Sequence, residues 1–160
     1  APRRVLDMGC GSAILGMAAQ RIWPAAKVIA VDNDPVAVRT SAINRRLNNI
    51  APAAMHLALS DGFGSRYVRQ STPFDVIFAN ILARQLIRMA PDLCRYSRRH
   101  AWLILSGILN EQVVAVRNMY QAKKIRCWQQ IRIGDWTTLV MRPASFGAMP
   151  YLWRGRCQMS

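Results

Sequence analysis

Acidic residues are scarce. Only 8 Asp and Glu stand against 22 Lys and Arg in 160 residues, for a formal net charge of +14. Lysine is scarcer still: Lys27, Lys123 and Lys124 are the only three, so the positive charge is carried by arginine. No apolar run approaches the roughly 20 residues that cross a bilayer. The longest, Ala101 to Leu109, is interrupted by Ser106 and Gly107 and reads as a buried strand, so no membrane association is expected. The N-terminus lacks the charged stem, apolar stretch and cleavage pattern of a signal peptide, so a cytoplasmic location is expected. None of the four cysteines, Cys10, Cys94, Cys127 and Cys157, forms a C-x-x-C pair or has a histidine at ligand spacing. Reduced thiols and no metal site follow. Disorder is excluded by a hydrophobic fraction of 52%, far too apolar for a basic tail. The length suits one domain, with no room for a second substantial one. Ala1 runs almost directly into a strand, as expected of a fragment.

Strands are expected at Val5 to Met8, Lys27 to Val31, Met55 to Leu59, Phe74 to Ala79 and Ala101 to Ser106, where β-branched and other apolar residues cluster between turn residues. Helical stretches alternate with them. Ser12 to Gln20 is rich in helix formers. Val36, Thr40, Ile43 and Leu47 recur at helical spacing behind Pro35 and predict a buried stripe. Ala83, Leu86, Ile87, Ala90, Leu93 and Cys94 form a second stripe, in which Pro91 predicts a kink or a break. A short helix is expected around Gly64 to Val68, and another begins near Asn110. Cys127 to Ile133 and Trp136 to Arg142 flank Gly134-Asp135 as a terminal hairpin.

This alternation predicts an α/β fold, a doubly wound and mostly parallel sheet of seven strands. A two-residue turn cannot join two parallel strands, so one terminal strand must be antiparallel. The domain is expected over residues 1–142, with a loosely ordered tail over residues 143–160. A ligand would sit at the carboxyl ends of the strands.

The most informative stretch is Val5-Leu6-Asp7-Met8-Gly9-Cys10-Gly11-Ser12-Ala13. Gly9 and Gly11, between a strand and a helix, let backbone approach a ligand, and the helix start attracts an anionic group. A tight turn without a ligand is the plainer reading. A dinucleotide fingerprint would want a glycine where Ile14 stands. Asp7 suits an ammonium better than a pyrophosphate, and S-adenosylmethionine offers an ammonium together with a carboxylate. Asp32, 21 residues after Gly11, can accept from both hydroxyls of a ribose; Asp34 is then the cap of the following helix. Asp61 follows the third strand, where an adenine amino group would lie, though an ordinary turn explains it equally. Asn80 closes the fourth strand, where its carboxamide can orient an amine. That suits in-line methyl transfer to nitrogen, in which positioning matters more than a strong base.

These residues resemble the class I S-adenosylmethionine-dependent methyltransferases, whose fold is Rossmann-like. Four segments carry a narrower likeness: Val5 to Ser12, Val31 to Val38, Ala79-Asn80-Ile81-Leu82-Ala83, and Leu103 to Leu109 with Glu111-Gln112 behind it. Gly134-Asp135-Trp136 also fits. They are similar to the catalytic domain of the bacterial methyltransferases of large-subunit ribosomal protein eleven. The resemblance implies N-methylation of amino groups, on a lysine side chain or an N-terminus of a ribosomal protein. It implies Asp7, Gly9 and Gly11 at the methionine end of the cofactor, Asp32 at the ribose, Asp61 near adenine, and Asn80 between cofactor and substrate. Ala13 stands where that family has a third glycine, and its N-terminal recognition domain and Gly-Thr-Gly-x-His segment are absent, so weak activity alone is expected. Two alternatives remain. The arginines, among them Arg45, Arg46, Arg66, Arg69, Arg84, Arg88, Arg95, Arg98 and Arg99, offer a surface for RNA contact by an RNA methyltransferase or binding protein. A non-catalytic remnant of the fold is the other. His56 and His100 read as surface or strand-edge residues, Trp102 and Trp128 as sheet-face residues, and Trp136 as lining a substrate entrance.

Overall fold

Each apolar run between turn residues becomes a strand, and each longer helix-forming stretch becomes the crossover that follows it. The computed structural model describes residues 1–144. In chain order the elements are β1 (Arg4–Met8), α1 (Ile14–Ile22), β2 (Lys27–Asp32), α2 (Pro35–Leu47), β3 (Met55–Leu59), α3 (Arg66–Gln70), β4 (Phe74–Asn80), α4 (Ala83–Tyr96), β5 (Ser97–Leu109), a 3-10 turn (Asn110–Gln112), α5 (Val113–Ala122), β6 (Ile125–Ile133) and β7 (Trp136–Pro143). The sheet runs β3-β2-β1-β4-β5-β7-β6. β1 to β5 pair in parallel, whereas β7 runs antiparallel to both neighbours. The antiparallel strand expected from the Gly134-Asp135 turn is therefore β7. The order reverses between β1 and β4, which both lie at the centre, so the crevice opens beside their carboxyl ends.

One sheet face carries Leu6, Ile77, Leu103, Leu105 and Met141 beneath Leu86 and Leu93 of α4 and Val116 and Tyr120 of α5. Tyr120 is fully buried, and its hydroxyl donates to Leu86 O at 3.0 Å, as a buried phenol must. The other face packs Val5, Val28 and Ala30 against Met17 and Ala19 of α1. Further along, that face presents Trp102, Ile104, Trp128 and Val140 around a hollow of about 800 Å³. Trp102 and Trp128 meet edge to face at 5.7 Å, with the Arg142 guanidinium 4.0 Å from the Trp102 ring centroid. Both tryptophans are sheet-face residues, as read from the sequence.

Four expectations need correction. On α2, Val36, Thr40, Ile43 and Leu47 face solvent; the inward residue is the polar Ser41. Pro91 neither breaks nor splits α4, which runs unbroken through it. The proline lies on the exposed side, while Ala90 and Leu93 hold the helix by burial. β5 is longer than expected at both ends, from Ser97 to Leu109. β7 runs to Pro143, one residue past the strand end expected at Arg142; residues 145–160 of the expected tail lie outside the described residues. No described helix is long and apolar enough to cross a membrane.

Candidate cofactor and substrate site

The β1–α1 loop is fastened from three sides. The Cys10 N–H donates to Val31 O. The Gly11 N–H donates to Asp32 Oδ2 at 2.8 Å. From α2, Ser41 Oγ donates to Gly11 O at 2.8 Å and Asn44 Nδ2 to Ser12 O at 3.0 Å. This explains the polar inner face of α2: the helix grips a loop backbone, so hydroxyl and amide outweigh hydrocarbon there. The sequence signal for it, Ser41 and Asn44 spaced i, i+3, is masked by the louder apolar stripe on the far side.

Asp7 lies beneath the loop. It is 1% exposed, and its Oδ2 accepts from the Gly16 N–H at 2.8 Å. Ala13, at the start of α1, has no side-chain cap to offer, so the carboxylate of β1 takes that place. Burial raises its pKa to about 7, against the pull of the Gly16 N–H bond, with the Asp32 charge adding to the rise. The residues around the cleft do not include it. Ala13 has φ 60°, a left-handed conformation costing roughly 1–2 kcal/mol in a non-glycine residue. Its methyl is fully buried beside Cys10 and Met17, recovering about 0.8 kcal/mol by burial. The Cys10 thiol is pushed up to about 11 by burial and stays protonated, as expected of an inert thiol.

A cleft of about 170 Å³ opens at the strand ends. Met8, Gly9, Asp32, Asn33, Asp61 and Ile81 are among its walls. Asp32 also accepts from the Asp34 N–H through Oδ1 at 3.0 Å. Asp34 is the cap of α2, as expected, accepting from the Val36 N–H at 2.8 Å. Asp61 is exposed and lies 3.5 Å from Arg88 Nη2, a partner the sequence reading missed. Neighbouring Ser60 shapes the turn, donating to Gly62 O and accepting from the Ser65 N–H.

Asn80 lies in an adjoining hollow of about 570 Å³, with Ile81, Leu82, Gln85, Ser106, Gly107 and Trp136. Trp136 is 53% exposed at its edge. Ile81 and Gln85 belong to both spaces, so the two share a wall. Gly9, Asp32 and Asp61 thus gather around one space and Asn80 faces the next, while Asp7 and Gly11 support the first from behind. Ile81, Gln85 and Gly107 were not singled out from sequence. His56 stacks on Tyr67 at 3.7 Å in β3, and His100 lies exposed on β5, both away from the clefts. Among the described residues no group of three His, Cys, Asp or Glu could hold a metal ion.

The chain is 42% identical over 140 residues to the ribosomal protein L11 methyltransferase of Agrobacterium fabrum (strain C58), covering 88% of this chain and 47% of that protein. It is 37% identical over 141 residues to the enzyme of the same name from Mesorhizobium japonicum, covering 88% and 48%. It thus spans about half the length of these curated relatives. The solved ribosomal protein L11 methylase of Lactobacillus delbrueckii subsp. bulgaricus superposes with TM-score 0.80 at 27% identity, over 89% of this chain and 71% of that one. A methyltransferase structure from Pyrococcus furiosus shares the fold with TM-score 0.73 at 16% identity, over 88% and 74% of the two chains. The family model for ribosomal protein L11 methyltransferase (PrmA) matches residues 1–144, and the chain belongs to that family.

Proposed function

We propose that this domain binds S-adenosylmethionine and transfers its methyl group to amino groups of ribosomal protein L11. The observation that carries the proposal is the shared wall. The acid-lined cleft and the hollow facing Asn80 adjoin at Ile81 and Gln85, as a two-substrate transfer requires. The donor set fits the cofactor. Asp32 lies at the end of β2 for a pair of ribose hydroxyls, and Asp61 stands in the same cleft for an adenine amino group. The Gly9 backbone forms a floor close to the ligand. Asp7, buried beneath the loop, holds the start of α1 behind that floor through the Gly16 N–H. When bound, the cofactor supplies an electrophilic methyl on a sulfonium.

Asn80 is the residue we assign to the acceptor. Its Oδ1 accepts from an amine N–H and turns the nitrogen lone pair toward the cofactor cleft. Orientation of this kind contributes more to a displacement than a strong base would. Substrate and domain organisation follow the same reading. The amine is a lysine side chain or an N-terminus of the cytoplasmic ribosomal protein. Recognition of that protein belongs to the part of the longer relatives that the match does not cover.

An RNA substrate finds less support. Of the arginines that suggested it, Arg45 donates to Met55 O and Arg69 to Phe63 O and Gly64 O. Arg98 pairs with Asp75 at 2.9 Å, and Arg88 with Asp61. Four of the nine arginines thus already have partners within the fold.

The test is transfer of labelled methyl from S-adenosylmethionine to purified L11, with product sites read by mass spectrometry. N-methylated amines on L11 are expected. Asn80→Ala is expected to slow the transfer by about tenfold or more while cofactor affinity holds. No label on L11, with label incorporated into ribosomal RNA offered in a parallel reaction, would overturn the substrate assignment.

A further inference from the structure

We propose that Ile81 is a positioning residue that couples the cofactor loop to the Asn80 carboxamide. The inference rests on the cofactor reading above. Two glycines approach Ile81 closely. Gly9, in the β1–α1 loop, has φ +67°, and a methyl added there would overlap Ile81 Cγ2. Gly107 has φ +75°, and a methyl there would lie 2.8 Å from Ile81 O and 3.0 Å from Asn80 Oδ1. The first contact is with the side chain of Ile81 and the second with its backbone. One residue thus spans the gap between the loop that lines the cleft and the amide that faces the hollow.

The strand geometry explains why Gly107 can come so close. Asn80 pairs with Ser106 in the parallel β4–β5 register. On the other edge of β5, the antiparallel register with β7 shifts between Leu105 and Ile108. A glycine with positive φ in such an irregularity is the signature of a bulge that re-aims the chain. Here the bulge carries the Gly107 backbone against Ile81 O. Ser106 is steadied beside it by a 2.8 Å hydrogen bond between its hydroxyl and that of Thr138. The other flank of Ile81 packs against the main core. A shift of Gly9 on cofactor binding therefore has one direct route to Asn80, through the Ile81 side chain and its own peptide.

The coupling is carried by side-chain volume, and that makes it separable from folding. The full chain would be labelled with ¹⁵N-asparagine. The Asn80 side-chain amide would be identified by its loss in Asn80→Asp, and S-adenosylmethionine affinity measured on the same samples. In the wild type, cofactor is expected to shift the Asn80 amide resonances. Ile81→Ala, which trims a wall of the cofactor cleft, is expected to weaken cofactor binding and, at saturating cofactor, to lose most of that shift, whereas Ile81→Val, which keeps Cγ2, retains it. Gly9→Ala is expected to weaken cofactor binding about tenfold or more, and Gly9→Ala/Ile81→Ala to recover at least about threefold of the loss, because contacting residues couple to this extent. An Asn80 shift in Ile81→Ala equal to wild type, or a double variant binding no better than Gly9→Ala, would overturn the coupling and leave the cofactor reading intact. Failure of the wild type itself to bind would overturn both.

Discussion

Asp7→Asn is expected to gain on the wild type in stability by roughly 3 kcal/mol as pH rises from 5 to 8. The sign follows from the burial of a carboxyl. Asp7 has an ordinary value of 3.8 and rises to about 7 in the fold. A folded pKa above the unfolded one gives stability that is fully present below 3.8 and is lost as pH rises through 7. The whole shift is worth roughly 4 kcal/mol at 1.36 kcal/mol per unit. At 1% exposure there is little solvent to screen it. The asparagine keeps an oxygen for the Gly16 N–H and has no proton to lose. Subtracting the two variants' denaturant-unfolding energies at each pH removes the contribution of every other titrating group. A difference that stays flat from pH 5 to 8 would mean that Asp7 is not the buried acid described.

Asp32→Ala is expected to weaken S-adenosylmethionine binding by about 100-fold or more. Hydrogen bonds to charged groups contribute about 1.5–3 kcal/mol each, and two ribose hydroxyls would lose their acceptor together. The Gly11 N–H, held at 2.8 Å, and the Asp34 N–H, at 3.0 Å, would lose theirs too. The loop and the start of α2 would then loosen at the cleft itself. Asp32→Asn, which keeps one acceptor oxygen, is expected to fall between. Equilibrium dialysis with labelled cofactor measures all three. Equal affinity in Asp32→Ala and wild type would remove Asp32 from the ribose.

The strands were legible because buried parallel strands need runs of apolar residues, and Val28 to Val31 or Val76 to Ala79 have little other use. The antiparallel β7 followed from a two-residue turn. The α2 stripe misled for a physical reason. Periodicity reports hydrocarbon, and this helix instead directs Ser41 and Asn44 at backbone carbonyls. Asp32 and Asn80 could be placed because a residue ending a parallel strand must face the crevice. Asp7 was harder. One residue earlier in register than the strand's end, it turns under the loop to α1, and sequence spacing does not distinguish the two directions. Ile81 and Gly107 were out of reach, since their meeting depends on a bulge and a register that only the folded sheet defines.

We infer that this chain holds S-adenosylmethionine at the carboxyl ends of β1 and β2. Calorimetric titration of the full wild-type chain tests it most directly. Saturable binding of one cofactor per chain, displaced by S-adenosylhomocysteine, is expected. No saturable heat at any accessible concentration, from a chain shown to be folded by cooperative unfolding, would contradict it.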